Sequence, residues 1–239
     1  MVVNRNDRWD TIRNSTHCQA VDSGKSRYFC SLMSVQNAYN AWSSQYDTNH
    51  NKTRDLDQRV TIDTLSQYSF ETVLELGCGT GKNTAWLVDR AKAIRALDFS
   101  EGMLQQAVRK INDQKVTFQF ADLTLPWDVP AAFGDLVTSS LTLEHIQNLD
   151  FIFHEAADKL KPGGHFFVCE LHPFKQYAGS KARFESEGKV TELEVYVHHI
   201  SDYLNAASTA GLELVELREW FDEEGSGEIP RLISFVFRK

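Results

Sequence analysis

The chain has 239 residues, 42% of them hydrophobic and 24% charged, and its formal net charge is −8. This composition is typical of a soluble globular domain, and the acidic excess argues against nucleic-acid or anionic-membrane partners, because Lys and Arg neutralise phosphates in such complexes. The four cysteines include no CxxC pair, which argues against a disulfide framework or a zinc site. No apolar run approaches the roughly 20 residues that span a bilayer and no secretory leader is recognisable, so the expected location is cytoplasmic.

The N-terminal part is predicted to be helical after a polar start. Residues 1–30 have no clear periodicity and are interpreted as an extension. Apolar and aromatic side chains then recur at helical spacing from Leu32 to Tyr46, which predicts an amphipathic helix. After a polar link, a second helix is predicted from Asp57 to Leu65. Residues 31–70 are therefore interpreted as a helical cap on the domain that follows.

Short apolar runs alternate with helical patterns through the middle of the chain. The five predicted strands are Val73–Leu76, Ala93–Leu97, Val116–Phe120, Asp135–Ser139 and His165–Leu171. Ser100 is a predicted helix cap, and residues 161–164 are a predicted turn into the fifth strand. This alternation predicts an α/β fold with a mostly parallel sheet covered by helices on both faces.

The alternation stops after the fifth strand. Residues 172–200 are irregular apart from a predicted strand over 190–197, and we interpret them either as a lid over a bound substrate or as a solvated loop. A helix is predicted from Ser201 to Ala210, capped by Ser201 and ended by Gly211. Two more strands, Leu212–Phe221 and Leu232–Phe237, complete the sheet.

The stretch VLELGCGTG, residues 73–81, is a strand that runs into three closely spaced glycines. Glycine permits a tight turn and lets a ligand lie against bare backbone at a helix N-terminus. A phosphate-binding P-loop would need glycine at Leu76, and a dinucleotide fingerprint would need GxGxxG instead of the GxGxG found here. Both nucleotide interpretations therefore fit poorly.

This stretch resembles the first motif of class I S-adenosylmethionine-dependent methyltransferases, in which an acidic residue between hydrophobic ones precedes GxGxG. Further stretches of the same family follow in order, and the resemblance covers about residues 35–239. These further stretches are RALDFSEGML with Asp98, QFADLTLPW with Asp122, GDLVTSSLTLEHI and LKPGG. The resemblance implies a Rossmann-like seven-stranded sheet whose last strand is antiparallel, with S-adenosylmethionine as cofactor and S-adenosylhomocysteine as product.

The resemblance also implies which residues bind the cofactor. Asp98 would accept hydrogen bonds from both ribose hydroxyls, since a carboxylate has two oxygens for a diol. Asp122 would contact the adenine amino group, and Tyr46 would lie near the methionine end. The full implied set is Tyr46, Glu75, Gly77, Cys78, Gly79, Gly81, Asp98, Phe99, Met103, Asp122, Leu123 and Leu141.

Methyl transfer from a sulfonium needs an aligned nucleophile, and a base matters only when the acceptor arrives as a hydroxyl or an ammonium. Histidine suits that role near neutral pH. His145 and His172 are the predicted catalytic residues. The predicted acceptor-binding residues are Tyr177, Arg183, His198 and His199. No residue set has the spacing of a metal site.

These observations predict an N- or O-methyltransferase that acts on a small molecule. A DNA target is disfavoured because residues 139–142 read SSLT where DNA amino-methyltransferases carry an Asn/Asp-Pro-Pro-Tyr-like motif. The alternatives are a non-catalytic cofactor-binding module, a protein methyltransferase with an open groove, and an oxidoreductase.

Overall fold

The computed structural model of the chain describes residues 35–48, 50–180, 183–186, 189–222 and 229–239. The side chains of β6 and β7, defined below, are not included in that description, and the predicted extension 1–30 lies outside it. Within these ranges no helix has both the length and the apolar character needed to cross a membrane.

Helices and strands alternate along the chain. The helices are α1 (residues 35–42), α2 (Lys52–Leu65), α3 (Lys82–Val88), α4 (Glu101–Lys110), a 3-10 helix (Leu143–His145), α5 (Leu149–Lys159), α6 (Pro173–Tyr177) and α7 (Ile200–Thr209). The strands are β1 (Thr72–Leu76), β2 (Ala93–Asp98), β3 (Val116–Phe120), β4 (Gly134–Ser140), β5 (Leu160–Leu171), β6 (Arg183–Ser186), β7 (Lys189–Glu192), β8 (Glu213–Trp220) and β9 (Leu232–Arg238).

Seven strands form one sheet in the order β3-β2-β1-β4-β5-β9-β8. Strands β1 to β5 are parallel, and β9 pairs antiparallel with both β5 and β8. The order reverses at β1, so the carboxyl ends of β1 and β4 flank the crevice where open α/β sheets bind their ligands. The predicted Rossmann-like sheet with an antiparallel last strand is confirmed.

Hydrophobic side chains pack on both faces of the sheet. The cluster that includes residues of α5 and α7 contains four phenylalanines with no exposed area: Phe153, Phe166, Phe235 and Phe237. The rings of Phe153 and Phe237 meet edge to face with centroids 5.4 Å apart, a favourable geometry for aromatic pairs. The second cluster includes residues of α2 and α3. This two-sided core holds the strand ends that carry the site.

Capping side chains explain where several helices begin. Ser100 Oγ accepts a hydrogen bond from Met103 N (3.2 Å), so the predicted cap of α4 is confirmed. The prediction that the second helix begins at Asp57 is wrong, because Asn51 Oδ1 accepts from two backbone N–H groups and starts α2 at Lys52. The prediction that Ser201 caps α7 is also wrong, since that helix begins one residue earlier.

Three other boundaries differ from the sequence prediction. The first predicted helix becomes turns after residue 42, where Ser43 Oγ donates to Asn40 O (2.8 Å) and competes with helical hydrogen bonding. Residues 161–164 belong to β5, whose pairing with β4 continues through a register shift to Leu160. The strand predicted over 190–197 ends at Glu192, after the antiparallel hairpin of β6 and β7.

Candidate active site

A pocket lies at the carboxyl end of the parallel strands, where β1 runs into the glycine loop. Its walls come from the segment after α1, from α2 and α3, and from the ends of β1 and β4. Six predicted cofactor residues line it: Tyr46, Glu75, Gly77, Cys78, Gly79 and Leu141.

The glycine loop needs glycine for different reasons at different positions. Gly77, Gly79 and Gly81 have φ angles of +67°, +54° and +79°, which favour glycine. A Cβ on Gly77 would lie 2.1 Å from Thr142 Oγ1, whereas a Cβ on Gly79 would meet nothing within 4 Å. Gly79 therefore leaves bare backbone open to a ligand. Gly81 is the N-cap of α3, and a Cβ there would lie 2.8 Å from Ile111.

Replacing Gly77 with Ala is expected to lower the free energy of unfolding by about 2–4 kcal/mol, because a clash with Thr142 adds to the unfavourable φ. Gly163→Ala is the matched control, since Gly163 has φ +79° but nothing within 4 Å of a Cβ. The control should lose only about 1–2 kcal/mol. Urea unfolding of both variants measures the difference, and equal losses would contradict the close approach of Thr142.

Asp98 ends β2 with its carboxylate turned to the glycine loop. Its oxygens accept hydrogen bonds from Gly79 N and Ser100 N, both at 2.8 Å. The side chain is buried, and burial raises its pKa to about 6, although the backbone hydrogen bonds oppose this shift. Each carboxylate oxygen keeps a lone pair, so Asp98 can still accept two hydrogen bonds from a diol.

Glu75 lies beneath the loop and joins β1 to α3. Thr84 Oγ1 donates a hydrogen bond to Glu75 Oε2 at 2.6 Å, and both side chains are buried. Burial raises the pKa of Glu75 to about 8. The carboxyl group is thus held behind the glycine loop and also lines the pocket.

The six other predicted cofactor residues are not among the residues that line the pocket: Gly81, Asp98, Phe99, Met103, Asp122 and Leu123. Met103 and Leu123 are buried in the core. Leu141, which lines the pocket, has φ +51°, uncommon for a residue other than glycine. Asp122 Oδ1 accepts from the backbone N and the hydroxyl of Thr124 (2.9 and 2.7 Å), so one of its oxygens holds a local turn.

Helix α1 is held across the β2–α4 turn by hydrogen bonds. Gln36 Nε2 donates to Phe99 O at 2.5 Å. Asn40 Oδ1 accepts from Ser100 Oγ and from Gly102 N, at 2.7 and 3.0 Å. The helix is therefore fixed against the turn that contains the predicted cofactor residue Phe99.

A tyrosine and a histidine meet on the inner side of α1. Tyr39 Oη lies 2.9 Å from His145 Nε2, and His145 Nδ1 lies 3.1 Å from Glu194 O. A carbonyl oxygen only accepts, so in the neutral ring Nδ1 carries the hydrogen and Nε2 accepts one from Tyr39. Burial lowers the pKa of His145 and raises that of Tyr39 well above its ordinary value. The pair thus offers a neutral imidazole nitrogen linked to a phenol.

His172 has a different environment from His145. It is fully buried; its Nδ1 accepts from Phe174 N (3.1 Å), and its Nε2 lies 3.0 Å from Glu219 Oε1. Burial lowers its pKa. One ring nitrogen holds the start of α6 and the other is engaged by Glu219 on β8, so His172 has none left to take a proton from an acceptor.

The predicted acceptor-binding residues are spread along the segment after β5. His198 is buried and donates from Nε2 to Leu143 O and Ile146 O (3.2 and 2.8 Å), which holds the turn after β4. Tyr177 and His199 are exposed and hydrogen-bonded to each other through Oη and Nδ1. Arg183 lies in β6, outside the described side chains.

Sequence analysis missed several residues at the site. Tyr39 lies within the first predicted helix but is not among the predicted site residues. Arg54 and Asp57 line the pocket from the first turns of α2, part of which was interpreted as a polar link. Their spacing of three residues places them on one helix face, a signal that becomes usable once Asn51 is recognised as the cap.

Within the described part of the chain, no three His, Cys, Asp or Glu side chains form a cluster suited to a metal ion.

Comparisons with known proteins agree with this architecture. A family model described as a methyltransferase domain matches residues 74–168. An uncharacterized methyltransferase of Emericella nidulans is 32% identical over 219 residues, which cover 75% of this chain and 76% of that protein. The chain therefore belongs to the class I S-adenosylmethionine-dependent methyltransferases.

Two further matches place this methyltransferase among its relatives. A demethylmenaquinone methyltransferase of Clavibacter sepedonicus is 35% identical over 114 residues, 47% of this chain and 46% of that protein. The structure of DhpI in complex with S-adenosylhomocysteine has a TM-score of 0.67 at 21% identity, covering 87% of this chain and 97% of that chain. The second match shows that the two proteins share a fold.

The pocket of this methyltransferase fits the family's cofactor, S-adenosylmethionine. The open side of Gly79 leaves room for a ligand against the backbone, and the buried Asp98 carboxylate keeps acceptor capacity for a ribose diol. Beyond the loop the pocket is lined by charged and polar side chains of α2 and α3, which suit the charged methionine end.

Cofactor affinity is expected to fall below about pH 6. The pKa of Asp98 is raised to about 6, so acidification protonates the group that should accept the ribose hydroxyls, and the Kd should rise by up to tenfold per pH unit. Calorimetric titration with S-adenosylhomocysteine between pH 5 and 8 measures this dependence. A Kd for the wild-type protein that stays constant down to pH 5 would contradict the role of Asp98.

Proposed function

We propose that this methyltransferase transfers a methyl group to a nitrogen or oxygen atom of a small-molecule metabolite. The observation that carries the proposal is the hydrogen bond between Tyr39 and His145, which provides a proton acceptor near Tyr46, a residue that lines the pocket. A partly buried base suits a small acceptor better than a nucleic acid or a folded protein. The name of the Clavibacter relative also specifies a small molecule, demethylmenaquinone.

The chemistry of the chain's own residues follows from this pair. S-adenosylmethionine, when bound, supplies an electrophilic methyl group on its sulfonium. An acceptor hydroxyl or ammonium gives its proton to Tyr39 Oη while the Tyr39 proton passes to His145 Nε2, so the phenol ends uncharged and the imidazole ends as imidazolium. Glu194 O keeps its hydrogen bond from Nδ1 and fixes the ring. Such a positioned base typically contributes about 10²–10⁴-fold to the rate.

The turn that carries His145 is held rigid by a buried carboxyl group. Glu170 Oε1 accepts from Thr142 N and Leu143 N at 3.0 and 2.9 Å, and Glu170 is 1% exposed. Fixing the backbone just before a catalytic side chain keeps that side chain in place during the reaction. We infer that Glu170 positions His145 without itself touching the acceptor.

We also infer that residues 31–239 form the methyltransferase domain and that residues 172–200 form the lid over the acceptor. At its end this segment forms several hydrogen bonds with the turn after β4, two of them at or next to His145. Tyr196 N donates to Glu144 O (2.7 Å), and Glu194 O accepts from His145. Movement of the segment would therefore be transmitted directly to the proposed base.

A transfer assay with S-adenosylmethionine labelled in its methyl group tests the proposal. The purified chain is incubated with pools of amines, phenols, hydroxy acids and quinols, and in parallel with protein and nucleic-acid substrates. Label in a small-molecule pool, reduced in Tyr39→Phe, supports the proposal. Label only in protein or nucleic acid, or cofactor binding without transfer to any pool, would contradict it and favour a protein methyltransferase or a binding module.

A further inference from the structure

The part of the pocket beyond the glycine loop contains two buried acceptors without partners. Asp57, on α2, is 5% exposed, and its Oδ2 accepts from Asn83 Nδ2 on α3 at 3.1 Å. Asp57 Oδ1 and Asn83 Oδ1 have no hydrogen-bond partner among the described residues. Burial raises the pKa of Asp57, and the neighbouring side chains of Asn83, Cys169 and Ser140 partly offset this rise. Unpaired buried acceptors are unfavourable, so each calls for a ligand or another explanation.

Positive charge lies next to these acceptors. Arg54 precedes Asp57 by one helical turn, and its guanidinium lies over the Tyr46 ring with 4.0 Å to the centroid. Its Nη1 donates to Tyr46 O, which fixes the direction of the side chain. Arg54, Asp57 and Asn83 all line the pocket that contains Gly77 and Gly79. The pocket wall therefore offers both acceptors and a cation, a charge pattern complementary to an ammonium and a carboxylate on one carbon.

We propose that Asp57 and Asn83 bind the α-ammonium group of the methionine moiety of S-adenosylmethionine, with Arg54 on the side of its carboxylate. The two free Oδ1 atoms accept from the ammonium, a group with three donors and no acceptor. The assignment rests on the cofactor of the family and is independent of the acceptor molecule and of His145.

The Asp57→Asn variant tests this assignment with two ligands. S-adenosylhomocysteine contains the amino-acid group, and 5′-methylthioadenosine shares the adenosine and thioether but lacks it. Because a charge-assisted hydrogen bond is lost, the Kd for S-adenosylhomocysteine should rise about 10- to 150-fold in calorimetric titration. The Kd for 5′-methylthioadenosine should change less than about twofold. Equal weakening of both ligands, or no weakening of either, would overturn the assignment.

A third ligand keeps the test decisive even if the variant folds poorly. The analogue of S-adenosylhomocysteine without the α-amino group should bind the wild-type protein at least about tenfold more weakly than S-adenosylhomocysteine. In Asp57→Asn the difference between the two ligands should shrink, because only Asn83 Oδ1 and an uncharged amide then remain to accept from the amino group. If the wild-type protein bound both ligands equally well, the assignment would be wrong.

Asp63→Asn is the matched control for these titrations. Asp63 lies on the exposed side of the same helix, so the same chemical change there should leave all three Kd values unaltered. None of these measurements involves methyl transfer. A failure to find a small-molecule acceptor would therefore affect the proposed function alone, and an unselective effect of Asp57→Asn would affect this assignment alone.

Discussion

Replacing His145 with Asn is expected to lower kcat by roughly 10²–10⁴-fold, because the proton acceptor Nε2 is lost. The Asn side chain can still donate to Glu194 O in place of Nδ1, so the turn should keep its position. The Kd for S-adenosylhomocysteine should stay within about twofold of the wild-type value. Initial rates with an acceptor from the transfer screen, together with calorimetry, measure both quantities.

Tyr39→Phe is the control that distinguishes proton transfer through Tyr39 to His145 from simple packing of the ring. It keeps the aromatic ring beside Phe99, whose centroid is 6.2 Å away, and removes only the hydroxyl that bonds to His145. If the two groups act as one unit, the double variant should be little slower than the slower single variant. If the losses of activity in the two single variants multiply in the double variant, Tyr39 and His145 do not act as one unit. Full activity in either single variant would also contradict proton transfer through this pair.

The pH profile gives a second test of His145. Burial lowers the pKa of this imidazole below its ordinary value of 6.5, so the neutral, proton-accepting form persists to lower pH. The acidic limb of the kcat profile should therefore lie below pH 6.5 in the wild-type enzyme and should be missing in His145→Asn. An acidic limb that is unchanged in the variant would assign the titration to another group.

Replacing Asp98 with Ala is expected to weaken cofactor binding by about 1–3 kcal/mol, roughly 5- to 150-fold in Kd, through the loss of charge-assisted hydrogen bonds to the ribose. Both S-adenosylhomocysteine and 5′-methylthioadenosine contain the ribose, so both should weaken alike. Asp57→Asn, by contrast, is expected to weaken the binding of S-adenosylhomocysteine alone. Isothermal calorimetry with the two ligands distinguishes the variants.

The matched control for Asp98→Ala is Asp122→Ala, which removes a carboxylate that partly holds its own turn through Thr124. Its effect on cofactor affinity should be smaller than that of Asp98→Ala. Unchanged affinity in Asp98→Ala would refute the ribose assignment. Thermal unfolding of both variants checks that lost affinity does not reflect lost structure, since Asp98 also accepts from Gly79 N and Ser100 N.

The sheet could be predicted from the sequence because its signals are local. Each buried parallel strand is a short apolar run, and the glycine loop and Asp98 lie at strand ends within a few residues of those runs. The helix starts were harder to predict. Asn51 caps α2 inside a polar stretch, and nothing in the apolar periodicity marks that position. His199 is the N-cap of α7, although Ser201 belongs to a residue type that caps helices more often.

The rest of the site could not be predicted because it depends on contacts between distant parts of the chain. Tyr39 and His145 are 106 residues apart and meet only when α1 packs against the turns that follow β2 and β4. His172 follows β5 at a position suited to a base, yet Glu219, 47 residues later, occupies one of its nitrogens. Asp57 and Asn83 likewise come together only through the packing of α2 against α3. Linear motifs identify the cofactor loop, whereas tertiary packing decides which polar groups remain available to a ligand.

The most direct test of the account is calorimetric titration of the purified chain with S-adenosylmethionine, S-adenosylhomocysteine and NAD in parallel. We expect both adenosyl ligands to bind with Kd values on the order of micromolar, about −8 kcal/mol, and NAD to give no measurable heat of binding. Binding of NAD without binding of either adenosyl ligand would contradict the account and assign the glycine loop to a dinucleotide.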